Sequence, residues 1–318
     1  MSHNPFTADA ALAARIESLE QSVGAGLSEA IAALAPFSPA RLAHNSGGII
    51  FRADAEALVS RFELRSIDEL MRLLVPVARH AARPPISNFF VGAVGLEAET
   101  GNLILGGNIE FSRTNLTYTV HGETCLAMRA FSRGTSLAVI ALGEAHPCAH
   151  CRQFLSEFIW SRSLTLIDRI GHTLTLAQLY PWPFDPAYLG NEGAVPGRSD
   201  EGLALAPHGL DPDLAAALLA AGRRAHAPYS KCPGAVVLRI KGGGIVAGAS
   251  VESVAFNPSM GPVSAAMIDL FAHGLDPRDI DDATLAVRSG GAVDHAASAH
   301  EQLAALRRGL PLTVLDWL

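Results

Sequence analysis

The feature that most restricts the fold of this chain is an internal repeat. Pro85-Ile86-Ser87-Asn88-Phe89-Phe90-Val91-Gly92-Ala93-Val94 resembles Pro228-Tyr229-Ser230-Lys231-Cys232-Pro233-Gly234-Ala235-Val236-Val237. Gly106-Gly107-Asn108-Ile109-Glu110 resembles Gly248-Ala249-Ser250-Val251-Glu252. A sequence that returns on itself in this way encodes one structural unit twice. With 318 residues and 49% hydrophobic content, the chain has material for two cores and a surplus for an oligomer interface.

The first copy predicts the unit. Residues 9–34 have apolar spacing near 3.6 and read as one or two helices. Ser66-Ile67-Asp68-Glu69 has the form of a capping box, and Arg83-Pro84-Pro85 stops the helix that it opens. Residues 89–96 and 103–109 read as strands, with Phe89 and Phe90 on opposite faces of the first and Asn108 and Glu110 on one face of the second. A helix over 122–132 closed by Gly134, a strand over 137–142, a helix over 148–160 and a strand over 164–170 follow. This alternation implies a sheet between helices. Residues 180–213, rich in Pro, Gly and Asp, form a linker, and a helix over 214–224 opens the second copy.

Between the repeated pieces lies the chemistry. His121-Gly122-Glu123 is answered by Pro147-Cys148-Ala149-His150-Cys151. Cys148 and Cys151, three apart at a helix start, turn both sulfurs to one side, where the helix dipole favours thiolates. His121, at the start of the other helix, completes a set suited to zinc with the fourth position open. Zinc so held lowers the pKa of water to about 7, and Glu123 can take a proton from that water and pass it on. The pair Cys148 and Cys151 alone could equally form a structural zinc knot; His-x-Glu beside it favours catalysis. Cys125, four residues after His121, could close the site as a fourth ligand, but its place one turn into the helix directs it to the core. His146 and His150 read as surface or supporting residues rather than ligands. The second copy has Gly261-Pro262-Val263-Ser264-Ala265 where the first has its His and Glu, and no cysteine follows Cys232. One zinc ion per chain is expected.

The fold class expected is therefore α/β: a three-layer α/β/α unit with a mixed central sheet, duplicated as a catalytic and a degenerate non-catalytic core, plus a helical N-terminal segment. The boundaries expected are 1–48, 49–190 and 191–318. A net charge of -7, with 24 basic against 31 acidic residues, argues against a polynucleotide ligand and for a small neutral one. No apolar run approaches the roughly 18 residues of a membrane span. Met1-Ser2-His3-Asn4-Pro5 lacks a basic start and an apolar signal core, so a cytoplasmic location is expected.

The spacing His-x-Glu…Pro-Cys-x-x-Cys is a known signature of zinc deaminases. With Gly107-Asn108-Ile109-Glu110-Phe111, Thr119-Val120-His121-Gly122-Glu123, Pro147 to Phe154, Pro228-Tyr229-Ser230-Lys231 and Ala255-Phe256-Asn257-Pro258, the chain resembles the cytidine deaminases, in their long two-domain dimeric form, from about Leu64 onward. The resemblance implies hydrolytic deamination of cytidine and deoxycytidine in pyrimidine salvage. It implies zinc on His121, Cys148 and Cys151, Glu123 as proton shuttle, Asn108 and Glu110 on the ribose, Phe89 near the base and the Gly122 backbone against the pyrimidine. It also implies a homodimer whose active site is completed by the other chain, with the segment near Ser230–Gly234 a candidate for that contribution. The family usually has Ala where this chain has Gly122, a change expected to loosen the loop or enlarge the pocket. The readings weighed against this one are a deaminase of another cytosine-like compound or of polynucleotide cytosine, and a zinc-stabilised interaction protein without catalysis.

Overall fold

The computed structural model describes residues 4–143 and 146–318. The first three residues, on which the reading of the N-terminus partly rests, lie outside the described residues. In chain order the elements are α1 (Ala10–Leu34), β1 (Ile49–Ile50), α2 (Arg52–Arg61), α3 (Ile67–Ala78), β2 (Gly92–Glu97), β3 (Leu103–Gly107), α4 (Gly122–Arg133), β4 (Leu137–Leu142), α5 (Ala149–Leu155), β5 (Thr165–Asp168), β6 (Thr173–Thr175) and α6 (Leu176–Leu179). Then come α7 (Pro212–Arg224), β7 (Ala235–Ile240), β8 (Ile245–Ala249), α8 (Pro262–Ala272), β9 (Ile280–Val287), α9 (His295–Leu306) and β10 (Leu312–Asp316).

The strands form two mixed sheets, ordered β1-β3-β2-β4-β5-β6 and β10-β9-β7-β8. Within them β3-β2-β4-β5 and β8-β7-β9-β10 have the same order and the same directions: two antiparallel pairings, then a parallel one. Both β2 and β7 shift register near their C-terminal ends, at Leu96/Glu97 and Arg239/Ile240. The repeat read in the sequence is thus a repeat of topology.

The central strands of each sheet are buried on both faces, and alternation along them decides which residue goes where. Val94, Leu103, Leu105, Ala141 and Ile167 pack with apolar residues of α1, α2 and α3. Ala93, Ile104, Ile140 and Leu166 belong to the cluster built with α4 and Phe154 of α5. In the second half α7 covers Ala235, Val237 and Ala286, while Val236, Leu238 and Leu285 share a cluster with α8 and α9. The inner layers are one body, since α4 packs on α8 and a single cluster runs through both halves. The buried Arg129 of α4 pairs with Asp269 of α8 and donates to Asn45 Oδ1 (2.9 Å) and the Gly47 carbonyl (2.8 Å).

Several elements differ in extent from expectation. Ala10–Leu34 is one helix: Asp9 caps it by accepting the N–H groups of Ala11 and Leu12, no proline interrupts it, and Gly24 and Gly26 are carried within it. The capping box is half made: Ser66 Oγ accepts from Glu69 N–H, but the Glu69 carboxylate turns to Arg15 and to the N–H of Arg65. The strand expected from residue 89, β2, starts at Gly92, so Phe89 and Phe90 do not alternate on a strand; both are exposed in the loop before it. The cause is Asn108, whose Oδ1 accepts from Val91 N–H and whose Nδ2 donates to the Phe89 carbonyl, each at 2.9 Å, so a side chain takes the bonds a neighbouring strand would need. Helix α5 stops at Leu155 rather than near residue 160. Just past it the Glu157 carbonyl accepts from Ala194 N–H at 2.7 Å.

Candidate metal centre and active site

Two helix starts make the centre. His121 is the N-cap of α4, in extended conformation at φ -91° and ψ 162°, and its N–H donates to Thr124 Oγ1 at 3.1 Å. Cys148 is the N-cap of α5, and its sulfur accepts from the N–H of Cys151 at 3.5 Å. Helix α4 follows β3 and α5 follows β4, the two strands that flank β2, and α4 packs on α5, which sets these helix starts side by side. His121 Nδ1 lies 3.2 Å from Cys151 Sγ and 3.6 Å from Cys148 Sγ, and the two sulfurs are 3.5 Å apart. A tetrahedral zinc, with bonds of about 2.0–2.3 Å, holds such donors at roughly 3.3–3.8 Å from one another. The three donors lie within a few tenths of an ångström of that arrangement, and among the described residues no fourth donor joins the cluster.

Protons compete for the same space. The hydrogen bond from Cys151, partly opposed by burial, brings the Cys148 thiol down to about 4, helped by the Cys151 N–H and His121. The thiol of Cys151 is pushed up, by its hydrogen bond to Cys148, by burial and by Glu123. One proton is thus shared between two sulfurs, the proton a dication displaces. Burial raises the carboxyl of Glu123, in the first turn of α4, against the pull of its own backbone N–H and His121.

The remaining sequence-derived residues gather on one cavity of about 560 Å³, lined by Phe89, Asn108, Glu110, His121, Gly122, Glu123 and Cys148 among others. Phe90 joins Phe89 on its wall. Glu110 Oε2 accepts from the N–H groups of Ile86 and Ser87, both at 2.9 Å, and Oε1 from Ser87 Oγ at 2.5 Å. Burial pushes this carboxyl up, but the Ser87 and Ile86 bonds and His121 outweigh it and hold it below the usual carboxylate range.

Cys125 is buried in the core beside Gly106, and burial raises its thiol to about 11. It is not among the donors that converge on the centre. Gly122 has no slack around it: a methyl there would sit 3.0 Å from Ala93 Cβ and 3.5 Å from Val91 Cγ1. Strand β2 thus closes on the helix start at Gly122.

Other supports were not singled out from the sequence. Arg152 donates from Nε to the Pro147 carbonyl (2.7 Å) and from Nη1 to the Leu179 carbonyl (2.8 Å), fixing the chain on both sides of the two cysteines. Gln153 bonds Tyr180 Oη and the backbone of Phe184. An arginine and an amide directly after the second cysteine were the available signal. Glu157, wholly buried, accepts from His226 Nε2, Tyr229 Oη and Val254 N–H, each at 2.8 Å, and so ties the metal-bearing helix to the second half.

The second half copies the clasp but not the metal centre. Glu252 accepts from the N–H groups of Tyr229 (2.9 Å) and Ser230 (3.1 Å) and from Ser230 Oγ. Asn88 and Lys231, each next in sequence after the clasped serine, both take left-handed conformations, φ 54° and 58°. The counterparts of His121 and Glu123 are Gly261 and Val263 at the start of α8, and among the described residues no metal-capable cluster falls in this half.

Two models of the cytidine and deoxycytidylate deaminase zinc-binding region match, at residues 64–166 and 176–300. A cytidine deaminase from Photobacterium profundum is 33% identical over 246 residues, 77% of this chain and 82% of that protein. One from Serratia proteamaculans is 35% identical over 240 residues, 75% and 80% of the two chains. The chain belongs to the cytidine deaminase family. Of the two matched regions only the first carries the ligands after which the model is described; the second retains the framework. The zinc triad of this family member is His121, Cys148 and Cys151.

Proposed function

We infer that this chain is a zinc-dependent hydrolase that converts cytidine and deoxycytidine, with water, to uridine and deoxyuridine plus ammonia. The observation that carries the reading is the convergence of His121 Nδ1, Cys148 Sγ and Cys151 Sγ within 3.6 Å of one another, beside a cavity that His121, Cys148 and the buried Glu123 line.

Zinc, when bound, supplies Lewis acidity and a water of lowered pKa. Glu123 does the proton work. It takes one proton from the attacking water and delivers it to the ring nitrogen, then takes the second from the hydroxyl now on the ring carbon and delivers it to the amine, which leaves as ammonia. Burial favours this role, since a carboxyl with raised proton affinity holds each proton between its uptake and its delivery. Asn108 and Glu110 bind the ribose. An ionised carboxylate accepts about four hydrogen bonds, and three at Glu110 go to Ile86 and Ser87, leaving room for one hydroxyl. Asn108 has spent one donor and one acceptor on the Phe89–Val91 backbone and keeps one of each. Phe89, 64% exposed, covers the base, and the Gly122 backbone lies along it. The functional units follow the repeat: a helical segment over 1–48, the deaminase unit over 49–190, and the linker with the silent unit over 191–318.

The chain works as a cytoplasmic homodimer whose second active-site wall comes from the partner. Exposed Phe89, Phe90, Leu116, Trp182 and Phe256 support an apolar interface. In its own chain Ser230 already shares a cavity of about 540 Å³ with His121 and Cys151, so the silent half adjoins the centre in cis as well. Among the described residues no helix is long and apolar enough to cross a membrane. The net charge of -7 favours a free nucleoside over a polynucleotide.

The test is an ultraviolet assay with cytidine, deoxycytidine, cytosine, adenosine and a cytosine-containing oligonucleotide side by side. Turnover of the first two, with the others slow or inert, is expected. Oligonucleotide turnover at the rate of free cytidine would overturn the nucleoside reading.

A further inference from the structure

We propose that His146, Asp168 and His172 form a second binding site, for a divalent transition-metal cation, on the wall of the substrate cavity. The three come from two pieces of chain. His146 lies in the segment entering α5 and lines the cavity, Asp168 ends β5, and His172 lies in the turn to β6. Their donor atoms all lie within 4.8 Å of one another.

The carboxylate is oriented for the purpose. Asp168 is buried, and its Oδ1 accepts from the N–H groups of Ile170 (3.1 Å) and His172 (2.8 Å). Its backbone carbonyl is held by Arg72 Nε at 2.8 Å. One oxygen is thereby anchored and the other, Oδ2, is presented to both imidazoles, 2.7 Å from His172 Nδ1 and 3.3 Å from His146 Nε2. The rings stand 5.1 Å apart and tilted by 64°, so their nitrogens converge on that oxygen rather than stacking past each other. Nitrogen and oxygen donors at about 2.0–2.2 Å from zinc stand roughly 3.0–3.5 Å apart. The His146 pair has that spacing already, and the His172 pair reaches it by opening a few tenths of an ångström.

The donor set names the ligand class. Two imidazoles and a carboxylate, with no thiolate, suit zinc, cobalt or nickel and leave positions for water. Without sulfur the site is the weaker of the two and fills after the cysteine centre. It is independent of the deaminase assignment, because its test reads metal rather than turnover.

The experiment is a cobalt(II) titration of the full, tag-free chain after removal of resident metal, followed in the visible and near-ultraviolet. The first equivalent should bring the thiolate-to-metal charge-transfer band of the cysteine centre. A second should bind with ligand-field bands and no further charge transfer. His146→Ala, at an exposed position, and His172→Gln should each abolish the second equivalent and leave the first band intact. A wild-type chain that binds one equivalent only, or a second equivalent that survives both substitutions, would overturn the proposal.

Discussion

Gly122 shows how a single position is set by its neighbour. Ala93 of β2 stands where a side chain would go, at 3.0 Å from an added methyl. Gly122→Ala gains up to about 1 kcal/mol in helix propensity and spends part of it in moving Ala93, so the net change should stay within about 1 kcal/mol. Gly122→Val adds two more carbons to the same contact and should lose about 1–3 kcal/mol by overpacking. Thermal denaturation of the two variants checks this; a valine variant as stable as the parent would mean that Ala93 is not the constraint. Cys125 gives a second test. Its thiol is in the core, so Cys125→Ala should keep the zinc content of the parent, and a proportionate loss of zinc would restore it as a ligand. The triad itself was legible at this scale, because metal chemistry restricts residue type and spacing. What Gly122 packs against was not legible, because it is a strand about thirty residues away in sequence.

Among the elements, existence was readable and extent was not. The helix over 122–132 was expected almost to the residue, since its start, its apolar face and Gly134 at φ 73° are all local signals. The strand expected at 89 starts at 92, and the helix expected to reach 160 ends at 155, for one reason. In each case distant partners claim the backbone groups: Asn108 those of Phe89 and Val91, Ala194 the carbonyl of Glu157. Glu97, at the end of β2, belongs to this scale too. It is fully buried and bonded to Arg133, Thr100, Thr135 and Asn102. Burial raises its carboxyl, but Arg133, Thr100 and Thr135 overcome this and hold it below the ordinary value. A carboxyl depressed on folding contributes stability above its unfolded pKa of about 4 and loses it as the pH falls through its folded value. Urea denaturation between pH 7 and pH 3 should therefore show a steeper acid loss in the parent than in Glu97→Gln; identical slopes would contradict the assignment.

For the whole molecule, the duplicated topology was foreshadowed by fewer than twenty matching residues, but the single core joining the two copies was not. Helices α4 and α8 bury apolar surface against each other, and Arg129 is fully enclosed with Asp269. Asp269→Ala leaves that arginine without its charge partner and should cost about 3–5 kcal/mol, measured by denaturant titration. A chain truncated near Glu192 loses α8 and the partners of Glu157, so it should be nearly inactive although it keeps His121, Cys148 and Cys151; full activity would show the silent half to be dispensable. Light scattering should give the mass of two chains. The central claim, zinc on the triad with Glu123 moving the proton, is tested most directly by measuring zinc content and cytidine turnover on the same samples of Glu123→Ala and Cys148→Ala. The account predicts that Glu123→Ala keeps its zinc and loses at least about 10²–10⁴-fold in rate, the usual worth of a general acid–base, while Cys148→Ala loses both. Loss of zinc from Glu123→Ala as ready as from Cys148→Ala would make Glu123 a ligand and contradict the account.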